Sequence, residues 1–205
     1  MTSLVVVSAG LSVPSSTRLL GDRITAASVA ALGEAEVTHI ELRALAHELT
    51  DNLLTGFPGP RLGEAIDAVR RADGLVAVTP VFSASYSGLF KTFFDVLEPG
   101  LLDGKPVLVA ATAGTARHSL VLEHALRPLF SYLHAVVVPT GVFAATDDFG
   151  DSGLDDRIAR AAGELARLVS SGRGEAPALL GRRRVEDAFG DPTPFEQLLR
   201  EASVA

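Results

Sequence analysis

Ser8, Ser12, Ser15, Ser16 and Thr17 put five hydroxyls into the ten residues Ser8-Ala9-Gly10-Leu11-Ser12-Val13-Pro14-Ser15-Ser16-Thr17. The apolar run Leu4-Val5-Val6-Val7 precedes them and a helical pattern follows. A hydroxyl-rich loop between a buried strand and a helix gathers backbone N–H groups and side-chain donors around one point. The helix dipole adds partial positive charge there, and such a point holds a phosphate. An ordinary N-cap needs a single hydroxyl, so the surplus favours an anion over capping alone. The P-loop lysine is missing, and so are the spaced glycines of a dinucleotide fingerprint. Hydroxyls and amides without a lysine suit a phosphomonoester.

Two further loops carry unusual chemistry. Thr79-Pro80-Val81-Phe82-Ser83-Ala84-Ser85-Tyr86-Ser87-Gly88-Leu89-Phe90-Lys91 stiffens a strand exit with Pro80 and offers the Phe82 ring at a site mouth. Ser83, Ala84 and Ser85 are small enough to let a flat aromatic ligand reach the backbone, where amides can donate to N5 or O4 of an isoalloxazine. The plainer alternative makes Phe82 and Tyr86 helix-start packing residues. The third loop is Ala111-Thr112-Ala113-Gly114-Thr115-Ala116-Arg117-His118. Gly114 permits close backbone approach or a positive φ, and Thr112 with its neighbouring amides suits the pyrimidine edge of a flavin. Arg117 and His118 read as solvated residues at a helix start. Asp147 and Asp148, in the segment 144–150, shape the rim. With a flat ring and a phosphomonoester together, the three loops point to FMN.

The elements that position these loops follow from hydrophobic period. Short β-branched runs alternate with helical segments, the pattern of a parallel sheet with crossover helices. The spacing predicts strands over 4–8, 36–42, 74–79 and 106–111. A fifth, over 135–138, resumes after Pro139 as 141–144. Helices are predicted from Ser16, with Leu20, Ile24, Ala27 and Ala31 on one face, and over 61–72, 87–97, 119–133 and 155–170. Pro128 should kink the fourth. Five strands and five helices in strict alternation, with right-handed crossovers, give a flavodoxin-like three-layer α/β sandwich of strand order 2-1-3-4-5. Ligands then sit beyond the strands' C-terminal ends, between strands one and three, where all three loops emerge. Residues 1–171 form this domain, and 172–205 form a tail in which Phe195, Leu198 and Leu199 could dock on a neighbouring subunit.

Composition bounds the function. At 205 residues with 47% hydrophobic content, the chain suits one folded domain with a sizeable core. It has no cysteine, which removes disulfides, thiolate metal sites and cysteine nucleophiles. A formal net charge of −7 disfavours nucleic acid and anionic membranes. Arg182-Arg183-Arg184 is followed by Glu186 and Asp187 and reads as solvated surface. No apolar run approaches the ~20 residues of a membrane span, and no basic n-region precedes the first strand. A cytoplasmic protein is expected.

With the loops assembled, the chain resembles the NAD(P)H-dependent FMN reductases of flavodoxin-like fold, closest to the branch partnered with luciferase-like flavin monooxygenases. The resemblance spans roughly residues 3–170, and its most specific piece is the Thr79–Lys91 segment. It implies that Ser8, Ser15, Ser16 and Thr17 bind the flavin phosphate. It further implies that Pro80, Val81, Phe82 and Ser85 contact the isoalloxazine, and that Thr112, Ala113, Gly114 and Thr115 meet its other edge. Many relatives carry arginine where this chain has Ser16, with Arg18 two residues on, and tyrosine where Phe82 stands. The implied reaction passes a hydride from NAD(P)H to FMN and supplies reduced flavin to a monooxygenase, with no protein acid, base, nucleophile or metal. A homodimer or homotetramer is implied as well. Three rival readings remain: a quinone or azo reductase with tightly held FMN, a flavodoxin-like electron carrier, and a ligand-free interaction domain using the stripe Phe90, Phe93 and Phe94.

Overall fold

Residues 2–8 contain the run Leu4-Val5-Val6-Val7, which is apolar on both strand faces and can be satisfied only at the centre of a layered domain. In the computed structural model, which describes residues 1–172, they form β1 (Thr2–Ser8). There follow α1 (Ser16–Leu32), β2 (Ala35–Glu41), α2 (Ala46–Thr55), α3 (Pro60–Arg71), β3 (Gly74–Phe82), β4 (Ser85–Tyr86) and α4 (Gly88–Asp95). The chain continues with β5 (Pro106–Ala113), α5 (Arg127–Tyr132), β6 (Val136–Val137), β7 (Val142–Ala145) and α6 (Ser152–Ser171). The sheet runs β2-β1-β3-β5-β6, with β7 continuing the last position beside β5 and β4 folded back antiparallel on β3. Strand order is therefore 2-1-3-4-5, as predicted, and the fold is flavodoxin-like. The expected tail lies outside the described residues from 173 onward.

Alternating side chains of the central strands feed two separate cores. Val5 and Val7, Leu75 and Ala77, and Val107 and Val109 face α2, α3, α4 and α5, where they meet Leu49, Leu62, Phe90, Phe94 and Phe130. Leu4 and Val6, Val76 and Val78, and Leu108 and Ala110 face α1 and α6, against Leu20, Ile24, Ile158 and Leu165. Burial on both faces explains the unbroken apolar runs. The phenylalanine stripe fills the first core: Phe90 and Phe94 lie 4.8 Å apart and Phe94 stands edge-on to Phe130 at 4.9 Å. The ligand-free interaction reading thereby loses its surface.

Four local expectations are corrected. No element is predicted over 43–55, yet a 3₁₀ turn (Leu42–Leu45) and α2 form there; the buried Leu49 and Asn52 of α2 are disguised by exposed Leu53 and Leu54. The third strand continues past Thr79 into the β3–β4 hairpin. Ala31 is exposed, so the buried face of α1 drifts toward Gly21, Thr25 and Ser28. The predicted helix over 119–133 is broken. A 3₁₀ turn (Ala116–His118) is followed by a π turn (Leu122–Leu126) that hands over to α5, with the Arg127 N–H donating to the Leu122 carbonyl. Pro128 is the cause, because it lacks an N–H and its ring crowds the carbonyl four residues back.

Ser28 is fully buried on α1, and its Oγ has no hydrogen-bond partner among the described residues. Ser28→Ala removes an unsatisfied hydroxyl and improves helix propensity. It should stabilise the fold by about 1 kcal/mol, read as a higher urea midpoint at unchanged m-value.

Candidate functional site

Parallel register brings the three loops together. Ser8, at the end of β1, is opposite Val78 of β3, and Pro80 of β3 is opposite Thr112 of β5. The three strands therefore reach the same sheet edge at nearly one level, and each loop begins beside its neighbour. The Ala9 N–H donates to the Val78 carbonyl at 3.0 Å, so the first loop leaves still attached to β3.

Gly10 is required by close packing: a Cβ there would collide with Ser15 Oγ. The loop thus closes on itself and returns Ser15 to the start of α1. Ser15 is the N-cap, its Oγ accepting from the Arg18 N–H at 3.2 Å. Capping and anion binding are compatible here, since the Ser15 O–H is still free to donate. Ser16 is exposed at the first helical position, while Ser8 and Thr17 are buried. Thr17 Oγ1 and Thr112 Oγ1 are 2.8 Å apart in a buried hydrogen bond that ties the first loop to the third.

The second loop is held from below. Thr79 is fully buried; its Oγ1 accepts from the Ser87 N–H at 3.0 Å and donates to the Pro80 carbonyl at 2.9 Å. Ser87 Oγ in turn caps α4 by accepting from the Phe90 N–H at 3.2 Å. Above this brace the chain reverses through Ser83 and Ala84, whose φ angles are +50° and +65°. A two-residue turn with both φ positive matches the strand twist but usually recruits Asn or Gly. Pro80, Val81 and Ser85 are half-buried, and the Phe82 ring at the tip is 46% exposed. Thr79 and Ser87 are positioning residues that sequence reading did not single out, although both stand in the quoted segment.

In the third loop Thr112 is buried, Ala113 half-buried, and Gly114 and Thr115 exposed. Gly114 does not adopt a positive φ; a Cβ there would point into open space, so close approach is its remaining use. Thr115 Oγ1 accepts from the Arg117 N–H at 3.3 Å. Arg117 and His118 are exposed, as expected. Asp148 accepts from the Ala145 N–H at 2.8 Å and pins the rim segment Thr146–Gly150. Beside this loop a cavity of about 380 Å³ is lined by Ala116, Ser119, Leu122, Phe143, Asp148 and Arg157.

Charge near the first loop is already paired. Arg18 Nε binds Asp22 Oδ1 at 2.8 Å, and its Nη1 binds Glu41 Oε1. His39 lies next to this group; burial first, and then Arg18, lower its pKa below the usual imidazole value, with Asp22 opposing. Among the described residues no group of three or more His, Cys, Asp or Glu could hold a metal ion, and no helix is long and apolar enough to cross a membrane. The donors at the edge are hydroxyls and backbone N–H groups at a helix start. That set fits a phosphomonoester, and the half-exposed Phe82 beside small residues fits a planar ring.

The family model "NADPH-dependent FMN reductase" matches residues 2–150. The chain belongs to that family. As a member it is an NAD(P)H-dependent FMN oxidoreductase. It is 39% identical over 180 residues to an FMN reductase (NADPH) of Pseudomonas aeruginosa, covering 84% of this chain and 94% of the relative. It is 40% identical over 154 residues to the NADH-dependent FMN reductase SfnE of Pseudomonas putida, covering 73% and 80%. An oxidoreductase structure from Corynebacterium diphtheriae superposes with a TM-score of 0.81 at 53% identity, covering 83% of this chain and 98% of that one.

The Thr17–Thr112 bond has a characteristic signature. Thr17→Val or Thr112→Val alone leaves a buried hydroxyl unpaired and should cost about 1–2 kcal/mol each, whereas the double variant removes both partners and should cost less than their sum. A double-mutant cycle from denaturant unfolding measures this; full additivity would contradict the coupling.

Proposed function

We propose that this FMN oxidoreductase binds FMN across the three loops and supplies reduced flavin to a flavin-dependent monooxygenase of the luciferase-like class. Ser8, Ser15, Ser16 and Thr17 take the phosphate, Pro80, Val81, Phe82 and Ser85 flank the ring, and Thr112, Ala113, Gly114 and Thr115 meet its pyrimidine edge. The observation that carries this reading is the joining of loops from three adjacent strands at one edge, with Thr17 bonded to Thr112.

Bound FMN would supply the chemistry, as acceptor of a hydride from the nicotinamide. The protein's part is orientation. The Thr79–Ser87 brace fixes the height of Pro80 and Val81, so the platform under the ring does not shift between turnovers. Phe82, exposed at the hairpin tip, covers the ring's edge while leaving one face open to a nicotinamide. Backbone N–H groups of the third loop donate toward the pyrimidine edge, where negative charge builds on reduction. A held stack of donor and acceptor converts a bimolecular encounter into a near-unimolecular one. No side chain of the site has to gain or lose a proton for hydride transfer.

Neutral donors support a flavin that exchanges with solution, as delivery to a partner requires. The same reading includes a homodimer or homotetramer, supported by Leu54 near the end of α2 and Phe57 in the α2–α3 connection, which are 81% and 78% exposed. It also includes a cytoplasmic location, where nicotinamide nucleotides are supplied.

Two experiments test the proposal. Purified protein with FMN and either NADH or NADPH should consume the nicotinamide absorbance, and adding a luciferase-like monooxygenase that lacks its own reductase should yield oxygenated product. Turnover without any coupled product, under conditions where photoreduced FMN does yield it, would reject the delivery role. Replacing Ser15, Ser16 and Thr17 together by Ala should raise the FMN KM about ten-fold or more and leave that for riboflavin nearly unchanged. Equal shifts for both flavins would contradict the phosphate assignment.

A further inference from the structure

Glu41 is the last residue of β2 and is paired in register with Ser8, the root of the first loop. A carboxylate therefore stands one strand away from the point at which the donor-rich loop begins. Its partner is Arg18, in the first turn of α1, whose backbone N–H is held by the cap Ser15. Asp22, one turn further along α1, binds the same guanidinium from its other side at 2.8 Å. Arg18 is the one cationic side chain in the first turn of α1, and its Nε and Nη1 are each bonded to a carboxylate.

We propose that Glu41 and Asp22 are positioning residues that tether Arg18 away from the phosphate end of the flavin site and so set how readily FMN exchanges. The inference rests on the phosphate assignment made above. With Arg18 tied, the phosphate meets only hydroxyls and amide N–H groups. A guanidinium added to that set would contribute a charge-assisted contact, roughly twice as strong as a neutral one. The tether itself is partly exposed, its side chains being 42–46% accessible, so it is weak in free energy. It acts by occupancy: Glu41 is anchored on β2 and Asp22 on α1, and Nε and Nη1 cannot donate to a phosphate while they are bonded to these carboxylates.

The test compares FMN with riboflavin, which share a ring and differ in the phosphate. Glu41→Gln with Asp22→Asn keeps shape and hydrogen bonding while removing both carboxylates. That double variant should lower the FMN Kd about ten-fold, measured by flavin fluorescence quenching, and leave riboflavin within two-fold. Adding Arg18→Gln to it should abolish the gain, and Arg18→Gln alone should change FMN affinity less than two-fold. Three outcomes would overturn the tether. The gain could persist without Arg18, which makes it simple removal of negative charge; FMN and riboflavin could tighten together; or Arg18→Gln alone could weaken FMN strongly, placing the arginine on the phosphate already. Circular dichroism melts run alongside separate folding from binding. The Ser15, Ser16 and Thr17 variant separates this inference from the reading beneath it. If that variant selectively loses FMN while the Glu41 and Asp22 pair has no effect, only the tether fails.

Discussion

The level at which β1, β3 and β5 end is the constraint on which the site depends. Ser8 opposite Val78 and Pro80 opposite Thr112 mean that three loops leave one edge of the sheet from three neighbouring strands, β3 lying between the outer two. That register is set far from the edge, by the two cores. A slip of one residue in β3 would send Val76 and Val78 into the space that holds Leu75 and Ala77, and the reverse on the other face. Because both faces are filled, a slipped β3 would have to repack both cores, and the alignment of the loops is a by-product of packing.

Packing delivers the loops to one edge, and a small set of hydroxyls then fixes their separation. Thr17 with Thr112 joins the outer two, while Thr79 with Ser87 holds the middle one against the sheet. These bonds are buried, where a hydroxyl without a partner costs more than a formed bond gains. They therefore act as selectors of one loop arrangement more than as sources of stability. A hydroxyl has one donor and two acceptor positions, so the residues that knit the loops retain capacity toward a ligand. Ser15 illustrates the economy: its oxygen caps α1 while its proton is still available.

The sequence made the layers legible because strand and helix periods were strong where burial was strong. Leu62, Ile66 and Val69 on α3, and Ile158, Leu165 and Val169 on α6, are buried as their spacing predicts. What escaped depended on neighbours in space. The inward stripe of α2 is brief, and exposed Leu53 and Leu54 blur it. Pro128 was visible as a breaker, but not the π turn that absorbs the lost hydrogen bond. Ser83 and Ala84 carry none of the Asn or Gly signals of their turn, so the hairpin could not be read from composition. In the candidate site, residue types pointed to three loops, whereas the Thr17–Thr112 link and the Arg18–Glu41 pair exist only once the sheet is assembled in the order β2-β1-β3-β5.

An acidic chain proposed to seat a phosphate has to separate local from global electrostatics. The formal charge of −7 acts over distances that salt screens within about 8–10 Å at physiological ionic strength. Hydroxyls and the first N–H groups of α1 act at contact, where screening is weak and direction decides. Overall charge therefore bears mainly on approach and departure, while the donors bear on orientation once a ligand is seated. For the role proposed above, in which a flavin is held through hydride transfer and then passed on, this division would be useful: geometry would be supplied without a strong Coulomb trap. The same logic gives a reason for an arginine beside the loop to be occupied by carboxylates, since a free guanidinium would merge the two roles and slow the second.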